Sequence, residues 1–449
     1  MLHRKRSVPV DAATLMNWTS RNRGPALRGV VDQSLTSAEN FAVGVILVRN
    51  CTKSEFGLYV LGYGILVLGW SLIAALITAQ LPAALSRGSL GDERRLQCGS
   101  LLRTLLVASI ATTGSGCLLT LLLTQLHVVA SHDTYYWLLL SSALPAMCLR
   151  DFMRRYFFQE RTETRALLMD GFALTLTVAT LGALAALHVT HLNSVAAATL
   201  ALGGLAVGTW GLVASGLSPK KYGINALGGL QSLWCAGRWN IGATLVSWIQ
   251  NQAYTFFVTA MIGLHGLATA NAPRVLLTPI TLLSTGLALP LLPRFAKQST
   301  NLHTVVNFRS VGTLVGMTFL FVGVYTLVLW LGRDALIPLV LGGSYTDVWP
   351  CIVAWAIANV FTNIRIYYST FLLAKGSFRR LAAANVLSAV VVISLSAPLI
   401  HVFGVVGSVY SIAAGELLLG MASWHQCRIV AAAIQAERLP RQVAAASAL

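Results

Sequence analysis

The chain has 449 residues and a formal net charge of +17, with 56% hydrophobic and only 10% charged residues and a mean hydropathy of +0.70. One soluble core cannot hide this much apolar surface, so the composition excludes an ordinary soluble protein and predicts a polytopic membrane protein. The positive charge does not indicate nucleic-acid binding, because the sequence has no module of aromatic and basic residues.

Twelve segments are long and apolar enough to be spanning helices, each of which needs about 20 residues. The predicted spans cover residues 30–48, 57–81, 101–123, a fourth from 135 onward, 166–187, 195–213, 240–262, 275–292, 313–331, 351–373, 381–399 and 405–424. Most Lys and Arg residues stand in alternate connections and at the termini, which predicts that both termini are cytoplasmic. The predicted fold class is therefore an all-α polytopic membrane protein.

The first predicted span carries a polar stripe. Asp32, Thr36, Glu39 and Asn40 share one face at helical spacing, opposite an apolar face. A carboxylate within a membrane costs roughly 2.5 to 3.5 kcal/mol on insertion scales, so both acidic residues should face a wet cavity or a partner helix. Two interpretations are open: a transport pathway, or carboxylates satisfied by neighbouring helices in a purely structural bundle.

The same region carries a family resemblance. SAENFAVGVILVR at 37–49, followed by SEFGLYVL at 54–61, resembles the opening of bacterial polysaccharide transporters. These form the O-antigen flippase-like branch of the multidrug/oligosaccharidyl-lipid/polysaccharide (MOP) exporter superfamily. Glu55, Phe56 and Gly57 are the most specific part of the motif, and the Gly and Tyr of LGGSYTDVW at 341–349 also match. The resemblance implies a MOP-like architecture of two six-helix lobes.

An arginine-rich segment, LRDFMRRYFFQERTETR at 149–165, follows the fourth span. It is either a cytoplasmic loop or the inner half of a helix with arginines in a cavity, and the sequence leaves both open. Residues 216–236 are rich in Gly, Ser and Pro, which predicts a cytoplasmic linker between two halves.

The second half repeats features of the first. A shift of 208 residues lays the stripe of the first span on Asn240, Thr244 and Ser247, and a shift of 211 pairs Arg154 with Arg365. These matches occur in the same order in both halves, which supports two lobes related by an axis along the membrane normal. The predicted domains are an arm at 1–29, a lobe at 30–215, the linker at 216–236, a second lobe at 237–427 and a tail at 428–449.

Polar residues within the spans are the candidate site. A guanidinium can bind a phosphate through two hydrogen bonds, and amides can bond sugar hydroxyls. The substrate-binding candidates are Arg365, Arg154, Asn359, Asn363, Gln250, Asn251 and Asn40, and the ion-coupling candidates are Asp32, Glu39 and Glu416. Arg365 has a second interpretation, as the structural partner of Glu416, since intramembrane charges usually pair. Both interpretations can hold in different states of a transport cycle.

No cofactor or metal is expected. The seven cysteines stand singly without a CxxC pair, although a disulfide between Cys51 and Cys351 is geometrically open. His188 and His191 have i, i+3 spacing but make only two ligands. The sequence has neither a Gly-Lys dipeptide for a phosphate-binding loop nor an HExxH motif, and its outer loops are short, so we do not expect an enzyme.

The resemblance implies a flippase that moves a polyprenyl-diphosphate-linked oligosaccharide across the bacterial inner membrane by alternating access. It also implies a lipid-linked glycan as substrate and, as partners, the bilayer and the glycosyltransferases and polymerase of the same pathway. One alternative is a drug or metabolite antiporter of the same superfamily, against which Arg365 argues because a cationic substrate needs acidic ligands. Another is a membrane-embedded glycan-assembly enzyme or scaffold.

Overall fold

The computed structural model describes residues 12–87, 91–217, 229–281, 309–345, 347–374 and 377–446, and all regular structure in these ranges is helical. The helices are α1 (Ala12–Asn50), α2 (Lys53–Leu76), α3 (Leu81–Arg87), α4 (Gly91–Gln125), α5 (Ser131–Gln159), α6 (Glu163–Ala186), α7 (Leu192–Ser215), α8 (Gly229–Met261), α9 (Leu264–Leu276), α10 (Arg309–Leu331), α11 (Arg333–Leu341), α12 (Trp349–Ala374), α13 (Phe378–Phe403) and α14 (Val405–Ala446). The all-α prediction is confirmed.

Seven stretches of the described chain are long and apolar enough to cross a membrane. They are Lys53–Leu85, Glu93–Gln125, Glu163–Ala186, Leu192–Ser215, Gly312–Leu331, Arg379–Phe403 and Val405–Ala432. Helices α1, α5, α8 and α12 are also long, but the charged and amide residues of the interior lower their hydropathy. Eleven of the twelve predicted spans correspond to described helices. The eighth, 275–292, overlaps α9 only at residues 275–276 and is described only to residue 281, because residues 282–308 lie outside the described ranges.

Several helices continue beyond their predicted ends. Helix α1 begins at Ala12, inside the predicted arm, and α14 runs to Ala446, through most of the predicted tail. Hydropathy marks where an apolar segment ends, whereas a helix ends where its hydrogen-bonding pattern stops, so the two boundaries need not coincide. Helix α5 runs to Gln159, so the arginines at positions 150, 154 and 155 belong to a helix rather than to a loop.

The packing pattern occurs twice along the chain. Helix α5 packs on α7 and α1 packs on α6 in the first half, as α12 packs on α14 and α8 packs on α13 in the second. Between the halves, α2 packs against α8 and α9. These are the two lobes expected of a MOP-like fold; the residue boundaries of the domains stay predictions, and most of the linker lies outside the described residues.

The lobes touch at the end of the bundle that carries the α1–α2 connection, which we call the Cys51 end; the opposite end is the Pro82 end. Arg49 Nη1 donates to the carbonyl oxygen of Leu339 at 3.0 Å, and Lys53 Nζ lies 5.1 Å from the ring centroid of Tyr345. Helices α2 and α9 approach so closely that a Cβ on Gly57 would lie 2.1 Å from the carbonyl oxygen of Leu264. The space between the lobes is therefore closed at the Cys51 end.

Replacing Gly57 by Ala tests this contact. The added methyl group must separate α2 from α9, and overpacking of this kind costs about 1 to 3 kcal/mol, so we expect a melting temperature several degrees lower in detergent. Gly114→Ala is the matched control, because a Cβ there meets no atom within 4 Å. Equal melting temperatures for both variants would contradict the close packing.

Candidate functional site

Among the described residues, cavities lie both inside the N-terminal lobe and between the lobes, and four of them are lined by polar side chains. The N-lobe cavity, of about 140 Å³, lies among α1, α5, α6 and α7 and is lined by Glu39 and Arg150. The vestibule, of about 370 Å³, lies at the Pro82 end and is lined by Asp32 and Pro82. Arg154 lines both of these cavities, and it therefore stands between the interior of the lobe and the Pro82 end.

The other two cavities lie between the lobes. The central cavity, of about 430 Å³, is bounded by α1, α2 and α9 and is lined by Tyr63 and Arg274. The cleft, of about 600 Å³, separates α2 from α8 toward the Pro82 end and is lined by Trp70 and Asn251. Gln252 lines both the central cavity and the cleft, so the two spaces are neighbours.

Arg150 holds two buried carboxylates of the N-lobe cavity. Its Nη1 and Nη2 atoms donate to Glu39 Oε1 and Oε2 at 3.1 and 2.7 Å, and Nη2 also reaches Asp170 Oδ1 at 2.9 Å. Thr177 Oγ1 donates to Glu39 Oε1 at 3.1 Å. The fork geometry of this arginine supplies the charge-assisted hydrogen bonds that make an ionised carboxylate tolerable within a membrane.

Arg154, one turn further along α5, pairs with Asp32 and with the same Asp170. Its Nε lies 2.9 Å from Asp32 Oδ2 and 2.8 Å from Asp170 Oδ2. Asp32 is only 1% exposed, and its Oδ1 atom has no hydrogen-bond partner among the described residues. If every member is ionised, the three carboxylates and two guanidiniums of this network carry one excess negative charge.

The network also settles where the polar stripe of α1 points. Asp32 and Glu39 face the interior of the lobe rather than lipid, whereas Asn40 lines both the N-lobe cavity and the central cavity. Asp170, near the start of the predicted span 166–187, is fully buried at the centre of the network. The sequence did not indicate these contacts, because both ion-pair partners of Asp170 come from another helix, α5.

The C-terminal lobe holds a smaller polar cluster. Arg365 Nε lies 2.6 Å from Glu416 Oε2, and Gln250 Nε2 donates to Glu416 Oε1 at 3.1 Å. Glu416 is 2% exposed, and Arg365 lines none of the four cavities. Of the two interpretations of Arg365, the ion pair with Glu416 is the arrangement in this structure, and a role as substrate ligand stays a prediction.

The remaining amide candidates fall into two groups. Asn359 and Asn363 donate to helix carbonyls four residues earlier, at 2.9 and 2.7 Å, and line none of the four cavities. Asn251 lines the cleft, and its Nδ2 donates to the carbonyl oxygen of Ser247 at 2.7 Å. Only Asn251 and Asn40 of the predicted substrate ligands therefore reach the space between the lobes.

Arg274 was missed by the sequence interpretation, which placed it in a connection at the outer end. The residue belongs to α9 and lines the central cavity. Its Nη1 donates to Tyr254 Oη at 3.2 Å, and its guanidinium lies 4.7 Å from the ring centroid of Trp355. It makes no ion pair with a described carboxylate. Asn271, one turn earlier on the same helix, accepts a hydrogen bond of 2.7 Å from Tyr254 Oη.

The cysteines and histidines considered as disulfide partners or metal ligands lie at the Cys51 end. Cys51 and Cys351 are both free and buried. Burial raises the pKa of the Cys51 thiol to about 12, and the nearby negative charge of Glu55 adds to the shift. His191 Nδ1 lies 3.3 Å from Glu55 Oε1 at the turn before α7. Within the described residues no group of three or more His, Cys, Asp or Glu side chains is arranged to hold a metal ion.

No family model and no curated protein matches the sequence. Solved structures do match, and one is an inward-facing multidrug resistance MATE family transporter of the MOP superfamily, with 14% identity, a TM-score of 0.66 and 90% of this chain and 98% of that chain covered. Another is the lipid II flippase MurJ in an inward closed conformation, with 12% identity, a TM-score of 0.72 and 92% and 90% covered. At these identities the likeness establishes the fold, which is that of MOP transporters. These neighbours are transporters rather than enzymes.

The pair of Arg365 and Glu416 can be tested with a double-mutant cycle. Removing one partner leaves an unpaired charge in the membrane, which costs about 3 to 5 kcal/mol for a buried pair, so Arg365→Ala and Glu416→Ala should each lower membrane abundance. The double variant should recover it, because no uncompensated charge remains. Quantitative immunoblotting of membranes measures this, and normal abundance of both single variants would exclude a structural pair.

Proposed function

We propose that the protein is a flippase that moves a polyprenyl-diphosphate-linked oligosaccharide across the bacterial inner membrane by alternating access. The observation that carries the proposal is the charge of the space between the lobes. The charged residues that line the central cavity and the cleft are both arginines, Arg274 and Arg155, and no described carboxylate lines either space. This lining suits an anionic headgroup.

Arg274 supplies the chemistry for a diphosphate. A guanidinium offers several N–H donors in a planar fork that matches phosphate oxygens, and it stays charged at any physiological pH. Trp355 below the guanidinium and Tyr254 beside it hold the group in place while it remains exposed to the cavity. Because Arg274 has no carboxylate partner among the described residues, its positive charge is available to a ligand.

The same charges disfavour a cationic drug as substrate, which is the main alternative for this fold. A cation needs an acidic group in the binding cavity, but Asp32, Glu39 and Asp170 are already occupied by arginines inside the N-terminal lobe. In the proposed cycle, the contact at the Cys51 end closes the outer side, and the prenyl chain stays in lipid while the headgroup crosses between rocking lobes. The glycosyltransferases and polymerase of the pathway would act before and after it.

The N-lobe network is the proposed coupling site. Asp32 has an oxygen without a partner among the described residues and lines the vestibule, through which a proton from the Pro82 end could reach it. Protonation would remove the excess negative charge and weaken the hold of Asp32 on Arg154. Glu39 belongs to the same network, and Glu416 with Arg365 forms the corresponding group of the second lobe.

The first test of the function replaces Arg274. Arg274→Ala should abolish glycan export at normal membrane abundance. Arg274→Lys should retain only part of the export, because an ammonium lacks the planar fork of a guanidinium. Binding of farnesyl diphosphate, a soluble probe without sugar, should weaken by at least about tenfold in the alanine variant, since a charged hydrogen bond contributes roughly 1.5 to 3 kcal/mol.

Arg333→Ala is the matched control, because this arginine is half-exposed beside Asp334 on α11. It should leave export and binding unchanged. Normal export by Arg274→Ala would refute the assignment of the central cavity as the phosphate site.

Coupling is tested by Asp32→Asn, which removes a negative charge and leaves the shape of the side chain. We expect export in energised membrane vesicles to lose its dependence on an imposed pH gradient, because the amide cannot exchange a proton. Asp334→Asn, a change at a fully accessible carboxylate, is the control. If Asp32→Asn responds to the gradient as the unchanged protein does, the coupling site lies elsewhere.

A further inference from the structure

The cleft between α2 and α8 has the polar lining of a ligand site. Along α8 the polar side chains Asn240, Thr244, Ser247 and Asn251 follow one another at helical spacing, and all four line the cleft. The sequence pattern already shows this stripe, and the structure places it against α2 instead of against lipid. The volume of the cleft, about 600 Å³, lies within the range of roughly 300 to 1,000 Å³ that small-molecule sites occupy.

Two hydroxyl groups of this lining differ from many helical hydroxyls of the protein. Those of Thr104, Thr120 and Thr370, for example, donate to the carbonyl oxygen four residues earlier at 2.9, 2.9 and 2.7 Å. Thr244 and Ser247 make no side-chain hydrogen bond to another described residue. A polar group within a membrane protein is costly unless it is hydrogen-bonded, so these hydroxyls need water or a ligand.

Two tryptophans frame the same space. Trp248 donates through Nε1 to the carbonyl oxygen of Gly64 at 3.0 Å, which fixes its indole. Trp70 lines both the cleft and the N-lobe cavity, and its buried Nε1 has no acceptor among the described residues. Indole rings offer a broad apolar face together with a polar edge, and the C–H faces and hydroxyl rims of sugar rings are complementary to that combination.

We infer that the cleft is a saccharide subsite, in which Trp70 and Trp248 contact sugar rings while Thr244, Ser247 and Asn251 bond their hydroxyls. This inference rests on the proposed function. Gln252 lines both spaces, so a headgroup with its diphosphate on Arg274 has its sugars directed into the cleft. The lining suits neutral sugars, because its one charged residue, Arg155, is paired with Asp151 at 3.0 Å.

Photo-crosslinking in living cells tests this inference with the natural substrate. The photoreactive amino acid p-benzoylphenylalanine replaces Thr244 in the cleft, Val275 in the central cavity, or the exposed Leu245 on α8, which does not line the cleft. Mass spectrometry of the crosslinked peptides after mild acid, which cleaves the prenyl diphosphate, identifies the adduct. We expect a saccharide adduct at Thr244 and none at Leu245.

The outcomes separate the two proposals. A saccharide adduct at Val275 with none at Thr244, or with only phospholipid at Thr244, would overturn the subsite and leave the flippase function standing. The absence of any glycan adduct at both positions would overturn the function itself.

A pair of near-isosteric variants gives an independent measurement. Thr244→Val and Ser247→Ala should each reduce export by about two- to tenfold, the usual effect of losing one hydrogen bond, while farnesyl diphosphate binds as before. Thr209→Val is the control, because that exposed hydroxyl is bonded to the carbonyl oxygen of Leu205 at 2.8 Å. Unchanged export by both cleft variants would overturn the subsite.

Discussion

The cost of holding ionised groups within a membrane governs this structure. Arg150 and Arg154 on α5 meet carboxylates from α1 and α6 in one buried network, so that both guanidiniums have carboxylate partners. Such a network penalises the loss of any member, because the others would keep their charge without compensation. Helices α1, α5 and α6 are thereby tied into one unit, as a lobe that moves as a body requires.

Charged residues inside the lobes differ in their partners from those between the lobes. Within the lobes each described arginine of the interior has a carboxylate partner, as Arg365 has in Glu416. Between the lobes Arg274 has an aromatic ring and neutral oxygens instead. The fold alone does not choose a substrate, since both drug transporters and a lipid II flippase share it. The lining of the space between the lobes is what favours an anionic headgroup.

The N-lobe network adjoins the spaces between the lobes, which would give the proposed coupling a physical route. Asn40 and Tyr63 line both the N-lobe cavity and the central cavity, and Trp70 lines both the N-lobe cavity and the cleft. A rearrangement of Arg150 or Arg154 would therefore displace residues that line the spaces between the lobes. Reciprocally, a ligand that favours one arrangement of the lobes must bias the network by the same free energy.

The sequence by itself determined the fold class, the approximate spans and the polar stripes of α1 and α8, because hydropathy and helical period are properties of neighbouring residues. It left the segment around Arg150 open and misplaced Arg274, since a charged residue near the end of an apolar segment can belong to a loop or to a helix. Only the tertiary structure decided which charges meet. Glu39 and Arg150 are separated by 111 positions in the chain, and their contact depends on how helices pack, which no local pattern encodes.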